Sequence, residues 1–147
     1  MRRTRFHTDP CPIARTTDLI GDCWTPVVLR EAFFGCKRFE EFHERLTISR
    51  ATLTERLARL VDEGMFERRE YQSNPPRHEY VLTDKGSSFF DVLAAMWTWG
   101  DRWMFDGNGA GVELSDRETR VPIKPEVVDA NTGAPIDLNR VRVGRKR

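Results

Sequence analysis

Residues 48–82, ISRATLTERLARLVDEGMFERREYQSNPPRHEYVL, constrain the fold more than any other stretch. Leu53, Leu57, Leu60 and Val61 recur at i, i+4, i+7 and i+8, the apolar stripe of an amphipathic helix. Ser49 stands where an N-cap belongs, with a hydroxyl that can accept a first-turn N–H. Thr52 is not the Glu or Gln that would complete a capping box. Gly64 follows Glu63 and suits the left-handed position just past a helix end. Residues then alternate from Phe66 to Tyr71 and again from His78 to Leu82. Between them lies Gln72-Ser73-Asn74-Pro75-Pro76-Arg77, where double proline stops a strand ladder and stiffens the tip. The pattern predicts a helix, a stop and a two-stranded wing.

The polar face of that helix carries Arg50, Thr52, Glu55, Arg56 and Arg59. Alone, such a face is the ordinary solvated side of a surface helix, and the hairpin is an ordinary exposed hairpin. Together they make a recognition helix followed by a basic-tipped wing, which offers arginine to a groove or to phosphates. On this reading Arg50, Thr52 and Arg56 face base edges, and Ser49 and Arg59 serve phosphates. Arg77, with Asn74 and His78, carries the wing contact. Charge supports this only locally, because the net charge is +1. Arg50, Arg56 and Arg59 outnumber Glu55 on the helix, and Arg68, Arg69 and Arg77 outnumber Glu70 around the wing.

The rest of the chain fits around this centre. Pro12 suits the first position of a helix running to about Ile20 and ended by Gly21. Thr25 as N-cap and Pro26 at the next position predict a second helix, to about Phe34, ended by Gly35. Its Val27, Val28, Leu29, Ala32 and Phe33 are too many for one stripe, so it should be buried. Phe39, Phe42 and Leu46 space a short third helix, and Thr47-Ile48 forms the turn of a helix-turn-helix. A last long helix should run from Thr83, its N-cap, to about Trp103. Its apolar residues cover more than one face. Apolar surface removed from water is worth roughly 25 cal/mol per Å², so the excess calls for a second chain. We expect a two-fold dimer through the first and last long helices. The alternative is packing against the chain's own C-terminal tail. Phe89, Trp97, Trp99 and Trp103 are the candidate dimer face, or else an aromatic ligand pocket. The expected class is mainly α with a small β-wing. Residues 11–104 form a winged helix-turn-helix domain, and 1–10 a flexible basic arm suited to phosphates. Residues 105–147 form a glycine-marked linker and a β-ribbon or arm, with a basic end from Arg140 to Arg147.

In these pieces the chain resembles the HxlR-type transcription regulators, a dimeric winged-helix group related in fold to the MarR proteins. The resemblance covers residues 11–103. It rests on CPIARTTDLIGDCWT (11–25), VVLREAFFGCKRFEEF (27–42), ISRATLTERLARLVDEGMFERR (48–69), NPPRHEYVLTDKG (74–86) and WTWGDRW (97–103), which occur in the family's order. The family usually carries an aliphatic residue where Pro26 stands. The resemblance implies a DNA-binding repressor or activator, usually dimeric. Some members sense oxidants or electrophiles through a cysteine near the N-terminus.

Cys11 is the one residue with evident chemistry of its own. Beside Pro12 it lies at a helix start, where N–H groups favour the thiolate that oxidants attack. It is equally the small, half-buried hydrophobe that cysteine often is. Cys23 and Cys36 read as packing. Three cysteines with no CxxC pair argue against a disulfide framework and against zinc. His7, His43 and His78 have no metal-ligand spacing, and residues 105–147 hold neither cysteine nor histidine. No paired carboxylates with a nucleophile and no phosphate-cradling glycine loop point to an enzyme, so we expect no cofactor. No run approaches the ~20 apolar residues of a membrane span, and MRRTRFHTDP lacks the apolar region of a signal peptide. The expected setting is cytoplasmic. The expected partners are double-stranded DNA, a second copy of the chain, and a small-molecule or oxidant effector. A winged helix that binds protein in place of DNA stays open as the alternative, given the near-neutral charge.

Overall fold

The structure, a computed structural model, describes residues 5–144. The first residues of the expected N-terminal arm (1–4) and the last of the basic end (145–147) lie outside the described residues. The chain is mainly helical with one two-stranded antiparallel sheet. Its elements are α1 (Pro12–Ile20), α2 (Trp24–Phe33), α3 (Phe39–Arg45), α4 (Arg50–Asp62), β1 (Phe66–Ser73), β2 (Pro76–Leu82), α5 (Asp84–Ser88) and α6 (Phe90–Trp103). Residues up to Phe90 form one compact unit and those from Asp91 a second.

The first unit is the winged helix. In α4, Leu53 and Leu57 are fully buried and Leu60 nearly so, as the stripe requires. They share a core with Val28 and Leu29 of α2, Phe42 of α3, Ile48 of the turn, and Met65 and Phe66. Each large apolar side chain so buried contributes about 1.5–3 kcal/mol. Ser49 caps α4 as expected, its Oγ accepting the Thr52 N–H at 3.1 Å. At the other end Gly64 takes φ +70°, the Gly64 N–H donates to Val61 O, and the Met65 N–H donates to Leu60 O. This is the paired reverse bonding of a glycine helix stop. Gly35 closes α2 in the same way, donating to Ala32 O while the Cys36 N–H donates to Glu31 O.

Two helix boundaries differ from the sequence expectation. Helix α2 starts at Trp24, with Pro26 inside its first turn and Thr25 not acting as its cap. Cys23 holds the N-cap position, and the side chain that caps the first turn is that of Asp22: its Oδ1 accepts the N–H groups of Trp24 (2.9 Å) and Thr25 (2.8 Å). The Thr25 hydroxyl donates to Asp22 Oδ2 at 2.6 Å. The predicted single helix from Thr83 is two helices. Thr83 caps α5 through Gly86 N–H, as expected, but α5 ends at Ser88 and α6 begins at Phe90. Gly86 lies in α5 where it meets the root of the wing. A Cβ there would sit 2.1 Å from the Met65 carbonyl oxygen, so α5 is pressed against the β1 entrance. Phe89 turns into the core, 7% exposed, and its N–H bonds back to Gly86 O.

The wing is tighter than its sequence suggests. Strand β1 runs on to Ser73 and β2 starts at Pro76, so only Asn74 and Pro75 form the turn. The second proline pairs with Ser73 in the register without ending the ladder. Tyr71 is the extra residue of a bulge between Glu70 and Gln72. The wing's root is locked by Phe66, whose ring meets those of Phe42 and Tyr80 edge-on, each at 6.2 Å.

In the second unit, α6 exposes Met96, Trp99 and Trp103, followed by Met104 and Phe105. The segment after it is fastened to α6 by Ala110 N–H donating to Asp101 Oδ1 (2.6 Å) and by Thr98 Oγ1 donating to Pro125 O (3.3 Å). The expected ribbon is reduced to two isolated antiparallel bridges, Ser115 with Pro122 and Val128 with Pro135, and a single 3-10 turn at Leu138–Arg140. Prolines at the bridges remove the N–H groups that a longer ladder needs. No helix among the described residues is long and apolar enough to cross a membrane.

The Gly86 contact yields a stability prediction. Gly86→Ala forces backbone apart at Met65 and should cost about 1–3 kcal/mol, the usual range for overpacking. Urea denaturation should show a lower midpoint at unchanged slope.

Candidate nucleic-acid interface

The outward side of α4 follows from its buried side. With Leu53, Leu57 and Leu60 inward, the exposed stripe is Ala51, Glu55, Ala58 and Asp62, flanked by Thr54. Sequence reading passed over the two alanines because it looked for polar groups. Simple rotation of 100° per residue from the leucines finds them. Small side chains there let a helix approach a surface closely. Arg50 and Ser49 are exposed at the helix start, and Thr52 is half-exposed. Ser49 Oγ also lies 2.7 Å from Thr52 Oγ1.

Arg56 and Arg59 have partners within the protein. They do not stand free on the polar face but turn toward the α1–α2 corner. The Arg56 side chain is 17% exposed, and its Nε lies 3.2 Å from Asp22 Oδ1. That contact is an ion pair without hydrogen-bond alignment. Arg59 donates to the Asp18 carbonyl at 2.5 Å and lies 3.8 Å from Asp22 Oδ2. Asp22 thus caps α2 and anchors α4 at once. Burial pushes its carboxyl up, but the hydrogen bonds from Thr25 and Trp24 and the charge of Arg56 outweigh this and hold it below the usual range.

Arg50 has its own partner. Its Nη2 and Nη1 donate to Glu40 Oε1 (2.6 Å) and Oε2 (3.0 Å), and its guanidinium lies 4.8 Å from the Phe39 ring centre. The hydrogen bond from Arg50 lowers the Glu40 carboxyl, and the same bond raises Arg50. Helix α3 starts under Glu41, whose carboxylate accepts the N–H groups of Lys37 and Arg38. Those bonds hold Glu41 below its ordinary value.

On the wing, Asn74 and Arg77 are exposed at the tip. Gln72 Nε2 braces the turn by donating to the carbonyls of Asn74 and Pro75. His78 is half-buried and stands 3.8 Å from Glu70. Arg38, which the sequence reading did not single out, stacks over Tyr71 at 4.0 Å. Arg38, Phe39, Glu40, Tyr71, Arg77 and His78 line one shallow depression between the α3 start and the wing. Within the wing, Tyr80 N–H donates to Lys37 O at 2.7 Å and ties β2 to the same segment.

The other candidates separate. Cys11 is exposed at the N-cap of α1, with its N–H bonded to Asp9 Oδ1. Cys36 is buried, and burial pushes its thiol up, as packing requires. Cys23 is exposed, against expectation. Phe89 belongs to the winged-helix core, whereas Trp99 and Trp103 are about 60% exposed and Trp97 is half-buried. No group of three metal-ligating side chains occurs among the described residues.

Asp22 carries a testable load. Its folded-state pKa lies below the ordinary 3.8. Its stabilisation is therefore complete above that value and lost as the pH falls through the depressed one. Asp22→Asn should cost about 1.5–3 kcal/mol at pH 7, the range for hydrogen bonds to a charged group, and less at acid pH. Thermal unfolding of both proteins from pH 7 down to pH 3 measures it.

Residues 19–107 match the family described as HxlR-like helix-turn-helix. The HTH-type transcriptional regulator Rv3095 of Mycobacterium tuberculosis, itself uncharacterised, is 36% identical over 129 residues, 88% of this chain and 82% of that one. The crystal structure of PA1607, described as a candidate transcription factor, superposes with a TM-score of 0.87 at 35% identity, covering 96% of this chain and 99% of that one. The redox regulator HypR in its reduced form matches with a TM-score of 0.59 at 31% identity, over 65% of this chain and 98% of that one. With the helix-turn-helix, the wing and these likenesses in agreement, the chain belongs to the HxlR-like family of helix-turn-helix transcriptional regulators.

Proposed function

We propose that this regulator acts in the cytoplasm as a homodimeric repressor on an imperfect palindrome. The observation that carries the DNA contact is the exposure of the α4 start and the wing tip, while the elements behind both are locked into one core. Arg50 and Thr52 reach base edges, with Glu55 on the outermost stripe beside them. Ser49 serves a phosphate next to its capping role. Arg56 and Arg59, tied to Asp22 and Asp18, set the angle of α4 and add positive potential without projecting into the groove. Asn74, Arg77 and His78 carry the wing contact in the adjacent minor groove or on its phosphates.

The dimer reading is supported by apolar side chains that have no cover. Trp99, Trp103 and Met104 on and after α6 are 60–66% exposed, and Ile13 on α1 is 77% exposed. Two-fold pairing places two copies of α4 about one helical turn of DNA apart. The exposed indole rings are equally open to a small aromatic effector. The redox reading is supported by the exposure of Cys11 at a helix N-cap and by the likeness to the redox regulator HypR.

Two measurements by fluorescence anisotropy test the DNA surface, on a duplex selected from a random pool and on a scrambled one. Arg50→Ala should cost about 1–3 kcal/mol on the selected duplex and little on the scrambled one. Arg77→Ala should weaken both alike and lower the salt slope by about 0.9. An Arg77→Ala protein with unchanged affinity and slope removes the wing from the contact. Mild diamide should weaken binding of wild type and of Cys23→Ser but not of Cys11→Ser. Equal loss in all three proteins rules out Cys11 as the sensor.

A further inference from the structure

The tightest side-chain pair on the proposed DNA surface is internal to the protein. Glu40 of α3 holds the two terminal nitrogens of Arg50 end-on, at 2.6 and 3.0 Å, with the guanidinium over Phe39. Both partners are about 60% exposed. A solvent-exposed pair of this kind adds little to stability, so the fold does not depend on it. The N–H fork that Glu40 occupies is the fork that matches the O6/N7 edge of guanine. Glu40 also lines the depression shared with Arg38, Tyr71, Arg77 and His78, between the α3 start and the wing.

We propose that Glu40 is a specificity-determining residue, which surrenders Arg50 only to a guanine and then accepts the N4 amino group of the paired cytosine. The inference rests on the DNA-binding reading above. Three ligands meet the pair differently. A phosphate competes for Arg50 but is repelled by the freed carboxylate. An A·T pair offers Glu40 the adenine N6 amino group but gives Arg50 no adjacent pair of acceptors, because that amino group separates adenine N7 from thymine O4. A G·C pair satisfies both side chains at once, since glutamate accepts well from cytosine N4. Discrimination thus comes from a penalty on wrong partners as well as from contact with the right one. Glutamine at this position keeps the size but loses the charge, so it neither holds Arg50 firmly nor repels phosphate.

The test uses the full-length protein and a duplex recovered by wild type from a randomised pool, against a scrambled duplex of the same composition. Glu40→Gln should bind the scrambled duplex more tightly than wild type. The ratio of selected to scrambled affinity should fall about 5- to 100-fold, the span of one base-pair readout. A pool selected by Glu40→Gln should lose its preference at one G·C position per half-site. Melting should be unchanged, as expected for an exposed pair. In an Arg50→Ala background, Glu40→Gln should leave the ratio where Arg50→Ala alone puts it. An unchanged ratio for Glu40→Gln in the wild-type background overturns the inference and leaves the DNA-binding reading intact. So does an equal fall in both backgrounds, which would mark a general charge effect. A wild type that binds both duplexes alike removes the functional reading and this inference together.

Discussion

The winged helix is organised by one carboxylate. Asp22 ends the α1–α2 turn, caps α2 through two N–H groups and the Thr25 hydroxyl, and faces Arg56 and Arg59 of α4. Its partners lie on two helices separated by α3, so the bond set fixes the angle at which α4 leaves the core. Charge placed inside a protein is stabilising only when paired and hydrogen-bonded, and the Asp22 carboxylate is paired by the arginines and hydrogen-bonded by Trp24 and Thr25. The consequence for function is indirect. Arg56 and Arg59, two arginines on the polar face of α4, are held by Asp22 and Asp18, while Ser49 and Arg50 at its N-terminal end are exposed.

The wing is fixed by a second set of contacts. Phe66 packs between Phe42 and Tyr80, Tyr80 bonds to Lys37, and the Thr83 hydroxyl donates to Gly64 O. Arg38 over Tyr71 adds a cation–π contact above the bulge. The helix and the wing are therefore held by the same core.

Local rules were legible in the sequence. Ser49, Gly64, Gly35, Pro12 and Thr83 act where their own backbone preferences place them, and the leucine stripe of α4 is buried as its spacing demands. Long-range choices were not. Arg56 and Arg59 turn inward because of Asp22 and Asp18, which lie 34 to 41 positions earlier in the chain. The close approach of Gly86 to Met65 joins residues 21 positions apart, which no local pattern shows. The Glu40–Arg50 pair spans the helix-turn-helix itself, and a helical wheel drawn for one helix cannot contain it. Asp22 as the cap of α2 was readable, since it precedes Trp24 and Thr25 at the right spacing, but the Thr25-Pro26 signal masked it.

The most direct measurement is hydroxyl-radical footprinting of the wild-type protein on its selected duplex. Two protected half-sites centred about 10 base pairs apart, each flanked on its outer side by a protected minor-groove segment, are the predicted result for two copies of α4 with their wings. Protection of a single half-site, or unphased protection along the whole duplex, would contradict a dimer that reads DNA through α4 and the wing.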